Sequence, residues 1–130
     1  MALAQKVTEL DVYNLSFESQ QCVFELSKSF PAEEKYSLVD QIRRSSRSVG
    51  ANICEAWRKR RYVAHFRSKL TDADGEAEET CHWLRTAIAC GYVSQDSAAE
   101  LAQSYSNISG KLSRMMADAE TWCSKSEERR

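Results

Sequence analysis

The sequence predicts an all-α fold, an antiparallel up-down-up-down four-helix bundle, and three observations carry that expectation. One Pro and four Gly in 130 residues leave little turn-forming material for a β protein. Ala, Ser, Glu, Lys and Arg are abundant and 28% of residues are charged, which suits water-facing helices. Apolar and small residues recur in alternating steps of three and four through four successive segments, as helix faces turned toward a core require. Short connections make successive helices antiparallel. The length fits one domain, expected over residues 1–124 with a polar tail at 125–130.

The first helix is expected over residues 9–29, with Val12, Leu15, Ser19, Cys22 and Leu26 on its inner face. Asp11 is a candidate start, and Phe30-Pro31 stops the helix because the residue before Pro is pushed out of helical geometry. Pro31 then suits the first turn of a second helix over 32–60, with Glu33 and Glu34 at its positive end. Leu38, Ile42, Ser45, Val49, Ile53 and Ala56 form its core track. Gly50 sits mid-helix at a cost of about 1 kcal/mol against Ala, so it needs a packing reason or marks a bend. The third helix, over 62–90, carries Phe66, Leu70, Ala73, Ala77, Thr80 or Cys81, Leu84 and Ile88 inward, and Gly91 stops it. No Gly or Pro separates it from helix two, so the expected break at 58–62 rests on length: one unbroken helix would far exceed globular norms. Ser94 or Ser97 caps the fourth helix, over 95–123. Its seam of Ala98, Leu101, Tyr105, Ile108, Leu112, Met115, Ala119 and Trp122 is the cleanest in the chain and suits antiparallel packing at shallow angles.

The formal net charge of −1 hides an asymmetry. Residues 41–70 hold nine Lys/Arg and one Asp/Glu, a local +8 that the rest of the chain offsets with −9. Arg43, Arg47, Arg58, Lys59, Arg60, Arg61 and Arg67 are candidate contacts for nucleic-acid phosphates, with Trp57 and Tyr62 placed to stack on unpaired bases. The competing expectation is pairing with the acidic residues Asp72, Asp74, Glu76, Glu78 and Glu79, within or between chains. Arg44, Ser48, Asn52 and Glu55 fall on one polar stripe of helix two. A poor helix former such as Asn there points to contact specification or to plain exposure.

Catalytic constellations are missing from the sequence. Glu79 and His82 have the Glu-x-x-His spacing of di-iron bundles, but such sites need that pair twice, and His65 is the one other His. Cys81 and His82 are adjacent and diverge on a helix, so they form no nucleophile–base pair. No Gly-rich phosphate loop or nucleophile elbow occurs. We therefore expect no enzyme, no cofactor, no metal and no small-molecule substrate, a metal-dependent enzyme being the remote alternative. Cys22, Cys54, Cys81, Cys90 and Cys123 are odd in number and never spaced Cys-x-x-Cys, which fits free thiols in a reducing cytoplasm. Neither a signal-like N-terminus nor a run of about 18 apolar residues occurs, so we expect a cytoplasmic protein without a membrane partner.

The segment 30–57, FPAEEKYSLVDQIRRSSRSVGANICEAW, resembles the signature of the four-helix-bundle family named after proteins encoded in intervening sequences of 23S ribosomal RNA genes. The matching positions are Phe30, Pro31, Glu34, Tyr36, Gln41, Ile42, Arg43, Arg44, Ser48, Asn52, Ile53 and Glu55. The match continues through Phe66, Leu70, Ala73, Gly75, Glu79, Gly91 and Tyr92. Gly50 stands where the family often has Pro, and Ala56 where it usually has Gly. The resemblance implies a short antiparallel bundle associating as a homo-oligomeric ring, a pentamer, without catalysis or cofactor. The accessory protein of diversity-generating retroelements looks like a relative, in which a basic ring binds nucleic acid. Two functional readings follow: a ring that binds RNA or DNA, structured RNA foremost, through its basic surface, or a pure assembly module. In both, Arg44, Ser48, Asn52, Glu55 and Glu79 form a polar packing or interface stripe.

Overall fold

A computed structural model describes residues 4–128, with side chains through Cys123. Five helices carry the fold: α1 (Asp11–Ser27), α2 (Leu38–Arg58), α3 (Val63–Ala89), α4 (Gln95–Ala117) and α5 (Ala119–Glu128). The first four pack up-down-up-down, and no strand occurs among the described residues. The α2–α3 contact is the most extensive, and α1 meets α4 least of the sequential neighbours around the bundle.

The inner face of α1 is rotated from the expected one. Its buried residues are Val12, Ser16, Ser19, Val23 and Ser27, whereas Leu15 and Leu26 are half-buried and Cys22 is exposed. The cause lies across the seam on α2. A Cβ added at Gly50 would stand 3.3 Å from Ser16 Oγ, a separation tighter than ordinary van der Waals contact. Small side chains must therefore face each other here, and leucines would hold the helices apart. The buried hydroxyls are satisfied locally: Ser16 Oγ donates to the Tyr13 carbonyl at 2.7 Å, and Ser27 Oγ to the Phe24 carbonyl at 2.9 Å. Gly50 thus has a packing reason.

Helix α2 begins six residues later than its predicted start. Pro31 leads into a single 3₁₀ turn, Ala32–Glu34, and Ser37 is non-helical at φ −123°, ψ −94°. The Glu34 carboxylate accepts from Ser37 Oγ at 2.6 Å, from the Leu38 amide at 3.2 Å and from Tyr92 Oη at 2.7 Å. It therefore satisfies an N-terminal amide of α2 from outside the helix and ties that end to the chain beyond α3. These bonds, Ser37 foremost, hold the Glu34 carboxyl below its usual range, and the same carboxylate pushes the Tyr92 phenol up to about 12. Tyr92 is placed by the Schellman motif that closes α3. Gly91 takes φ 79°, Tyr92 N–H donates to the Ala87 carbonyl and Gly91 N–H to that of Ile88. The Tyr92 ring then packs on Phe30, centroids 5.8 Å apart.

All six predicted core positions of α2 are buried, as are Phe66, Leu70, Ala73, Ala77, Thr80 and Leu84 of α3, where Ala87 replaces Ile88. Ser45 and Thr80 place their hydroxyls 2.8 Å apart inside this contact. The break between α2 and α3 is real: Lys59 leaves helical geometry at φ −97°, ψ 16°, and Tyr62 is extended at φ −126°, ψ 118°. Ser94, not Ser97, caps α4, its Oγ accepting the Ser97 amide at 3.0 Å. The seam from Ala98 to Ala119 is buried, but it runs through two helices, because Asp118 interrupts it at φ −97°, ψ 17°. The α5 that follows puts Trp122 edge-on against Trp57 at 5.8 Å and continues helical to Glu128, into the stretch expected to be tail; residues 129–130 lie outside those described.

Gly110 lies inside α4 with nothing within 4 Å of an added Cβ, in contrast to Gly50. Gly110→Ala should raise unfolding free energy by about 1 kcal/mol through helix propensity alone. Gly50→Ala should give no such gain, because the new methyl displaces the fixed Ser16 hydroxyl. Urea denaturation of the two variants beside the parent protein checks the contrast.

Candidate nucleic-acid interface

The α2 helix separates its cations by direction. Arg44 faces α3 and pairs with Glu79 at 2.6 Å and Glu76 at 3.4 Å. These carboxylates, Glu76 first, raise its already high pKa. Further along the same side, Glu55 pairs with Lys69 at 2.8 Å; the hydrogen bond and charge of Lys69 lower the Glu55 pKa. Between them Ser48 Oγ donates to the Arg44 carbonyl and Asn52 Nδ2 to the Ser48 carbonyl, both at 2.9 Å. The predicted stripe Arg44, Ser48, Asn52, Glu55 and Glu79 is therefore brought together as one polar face across α2 and α3. It also includes the exposed Gly75, beside which an added Cβ would meet nothing.

The seven predicted phosphate contacts fall into three groups. Arg43 and Arg47 lie at the α1–α2 seam, their guanidinium carbons 4.6 and 5.8 Å from the centroid of the Phe24 ring. Arg43 Nε donates to Ser27 Oγ at 2.8 Å, which fixes the guanidinium and leaves the donors of its terminal nitrogens for other partners. Arg58 ends α2, and Lys59, Arg60 and Arg61 occupy the turn after it. Arg60 lies over the Trp57 ring at 3.5 Å and donates to the Trp57 carbonyl at 2.8 Å. Arg67, on α3, donates to the Met116 carbonyl at 3.1 Å. Arg47 and Arg58 are eleven residues apart on one helix, roughly 16 Å, so the groups do not merge into a single pocket. Arg43, Arg47 and Arg58 do share one stripe, their steps of four and eleven returning to the same side.

Trp57 is only 5% exposed and covered by Arg60 and Trp122, so it cannot receive a base. Tyr62 remains 56% exposed beside His65. The aromatic residues that sequence reasoning missed lie on α1. Tyr13, Phe17, Gln20 and Phe24 step by four, three and four along one stripe, and Tyr13 and Gln20 reach the space above Gly50. That spacing was legible, but the expected core face assigned the inner side of the helix to Leu15, Cys22 and Leu26.

The residues weighed for catalysis are otherwise engaged. Glu79 receives Arg44 and, at 3.4 Å, Trp83 Nε1, while the exposed His82 ring stands 4.7 Å from Trp83. Burial pushes the Cys81 thiol up, away from the thiolate a nucleophile needs. Among the described residues, no helix is long and apolar enough to cross a membrane.

With the polar face, the Tyr92–Glu34 clamp and the buried α2–α3 contact in view, the family comparison is decisive: the model of the 23S rRNA-intervening sequence protein family matches residues 8–114. The chain belongs to that family. The match runs from just before α1 almost to the end of α4 and leaves α5 beyond it. A crystal structure of a protein of unknown function from the S23 ribosomal protein family of Bacteroides thetaiotaomicron is similar, with a TM-score of 0.73 and 31% identity. The similarity covers 81% of this chain and 97% of that one. No curated protein matches the chain.

In this member of the 23S rRNA-intervening sequence protein family, Arg44 and Glu79 are half-exposed, so their pairing is screened. A double-mutant cycle on Arg44→Ala and Glu79→Ala should give a coupling of about 0.3–1 kcal/mol that shrinks in high salt. Thermal denaturation at two ionic strengths measures it.

Proposed function

We propose that this protein is a non-catalytic, homo-oligomeric bundle, a pentameric ring, that binds nucleic acid, structured RNA foremost, through the basic surface of α2 and the turn after it. One observation carries the reading. Among the described residues, no carboxylate lies within ion-pair distance of Arg43, Arg47, Arg58, Arg61 or Arg67, whereas Arg44 and Lys69 on the α3 side are both paired. Cations that the fold does not neutralise suit the phosphates of an external polyanion. The names 23S rRNA-intervening sequence protein and S23 ribosomal protein family agree with a ribonucleic-acid context without specifying one. In a ring, weak contacts from each copy would add as one multivalent surface.

The assembly-module reading is favoured by a different observation. Arg44 pairs with Glu76 and Glu79, which is a basic residue of helix two against acidic residues of helix three, the sense of pairing that this reading invokes. It extends that pairing across subunits to Arg58–Arg61.

Filter binding of an RNA hairpin over a salt series separates the two. The nucleic-acid reading predicts an affinity that falls linearly with the logarithm of salt. No binding at low salt, or binding indifferent to salt, contradicts it. Light scattering tests the ring: the mass should be a multiple of 14.8 kDa, five for the pentamer. Charge reversal at Arg58–Arg61 should leave that mass unchanged if these residues serve RNA, and should break the oligomer if they serve assembly.

A further inference from the structure

The outer face of the α1–α2 seam combines two features that the core does not explain. The first is aromatic. Phe17 is 47% exposed on a helix otherwise built to pack, its ring 6.3 Å from Tyr13 and tilted 33°. Phe24 follows on the same stripe, seven residues on, or about 10 Å along the helix. The second feature is charge. Lys28 Nζ, Arg43 and Arg47 all lie within 6 Å of the Phe24 centroid. Among the described residues, only Lys28 of these has a carboxylate partner, Glu25 at 3.2 Å.

Glu25 offsets Lys28, but holding Arg43 and Arg47 against the same ring remains unfavourable unless a further anion joins them, because like charges repel and the ring offsets little of it at an exposed site. The Arg43 guanidinium is preset for that anion. Ser27 holds Nε and Phe24 lies 4.6 Å from the guanidinium carbon, so its terminal nitrogens keep the fork of donors that matches a phosphate. Glu18 lies on the α4 side of α1 with Leu15 and Cys22, and Glu55 is turned toward Lys69. Glu25 holds Lys28, and Asp40 lines the same surface hollow as Arg43 and Arg47 one helical turn before Arg43, but among the described residues neither lies within ion-pair distance of the two arginines.

We infer that this face is a platform for unpaired nucleotides, on which Phe17 stacks a base while Arg43 and Arg47 hold backbone phosphates. The inference rests on the nucleic-acid reading above and narrows its ligand from helical to single-stranded segments of RNA or DNA. A duplex hides the faces of its bases and offers Phe17 nothing to stack on. A single strand, or the loop of a structured RNA, presents both base and phosphate together.

The test is fluorescence anisotropy with a labelled oligoribonucleotide of about 16 nucleotides and with its blunt duplex, on the full chain and on Phe17→Leu and Phe17→Trp. Leu keeps apolar bulk at a half-exposed position, so folding is preserved, while the ring is lost. We expect the parent to prefer the single strand at least tenfold. Phe17→Leu should weaken single-strand binding roughly 5- to 150-fold, as loss of one stacked base does, and Phe17→Trp should retain it. Equal binding of both forms, unaffected by Phe17→Leu, would leave nucleic-acid binding standing and overturn the platform. Binding of neither form would overturn the reading beneath it as well. A drop in oligomer mass for Phe17→Leu with unchanged single-strand affinity would make the face a contact between copies of the chain, and would also overturn the platform.

Discussion

Two helices approach as closely as α1 and α2 do only where side chains nearly vanish, and the contact of Gly50 with Ser16 is that place. A Cβ at Gly50 would meet Ser16 Oγ at 3.3 Å, and the hydroxyl is already fixed to the Tyr13 carbonyl. The rotation of α1 follows from this constraint. Ser16, Ser19 and Ser27 turn inward, and Leu15, Cys22 and Leu26 turn toward the loosely met α4 side. The same rotation lifts Tyr13, Phe17 and Phe24 to the outer edge of the seam, where Phe24 meets the arginines of α2. One missing methyl group thus sets both the packing and the character of the surface beside it.

Helix α2 then works as a divider. Its α3 side carries Arg44 and Glu55, each closed by a partner of opposite sign, over a buried layer of Ile42, Ser45, Val49 and Ile53. Its α1 side carries Arg43 and Arg47 against an aromatic ring, with no carboxylate within ion-pair distance among the described residues. Such exposed ion pairs contribute little to stability. They matter more because they remove two cations from the surface and leave the others for something outside the bundle. The carboxylate of Glu34 performs a similar local task, tying the start of α2 to Tyr92 and so holding the ends of the helices in register.

Much of this was legible in the residues. The core tracks of α2 and α4 followed the three-four periodicity because most of their buried positions, such as Leu38, Ile42, Ile53, Leu101, Ile108 and Leu112, are large and apolar, so the pattern and the burial coincide. The stripe of Arg44, Ser48, Asn52 and Glu55 was legible by spacing alone, and α3 supplies its partners. Three features were not. The face of α1 misled because hydrophobicity favours Leu15 over Ser16, whereas the close approach to Gly50 favours the smaller side chain. The start of α2 misled because Pro31 and two glutamates mark a first turn, yet Glu34 reaches forward to cap Leu38 instead. The stacking role given to Trp57 failed because its partner Trp122 comes from α5, sixty-five residues away in sequence. Periodicity reports which side of a helix is apolar; it does not report how near a neighbour can come.

The central claim is the division of labour among the cations of α2, and the salt dependence of binding measures it directly. Each phosphate contact by a cation contributes about 0.7 to 0.9 to the slope of log affinity against log salt. For a single-stranded RNA, replacing Arg43 and Arg47 together by Gln should lower that slope by about 1.4 while the fold stays intact. Replacing Arg44 by Gln should leave the slope unchanged and cost only stability. Equal loss of slope from Arg44→Gln, or an unchanged slope in the Arg43→Gln, Arg47→Gln variant, would contradict the account.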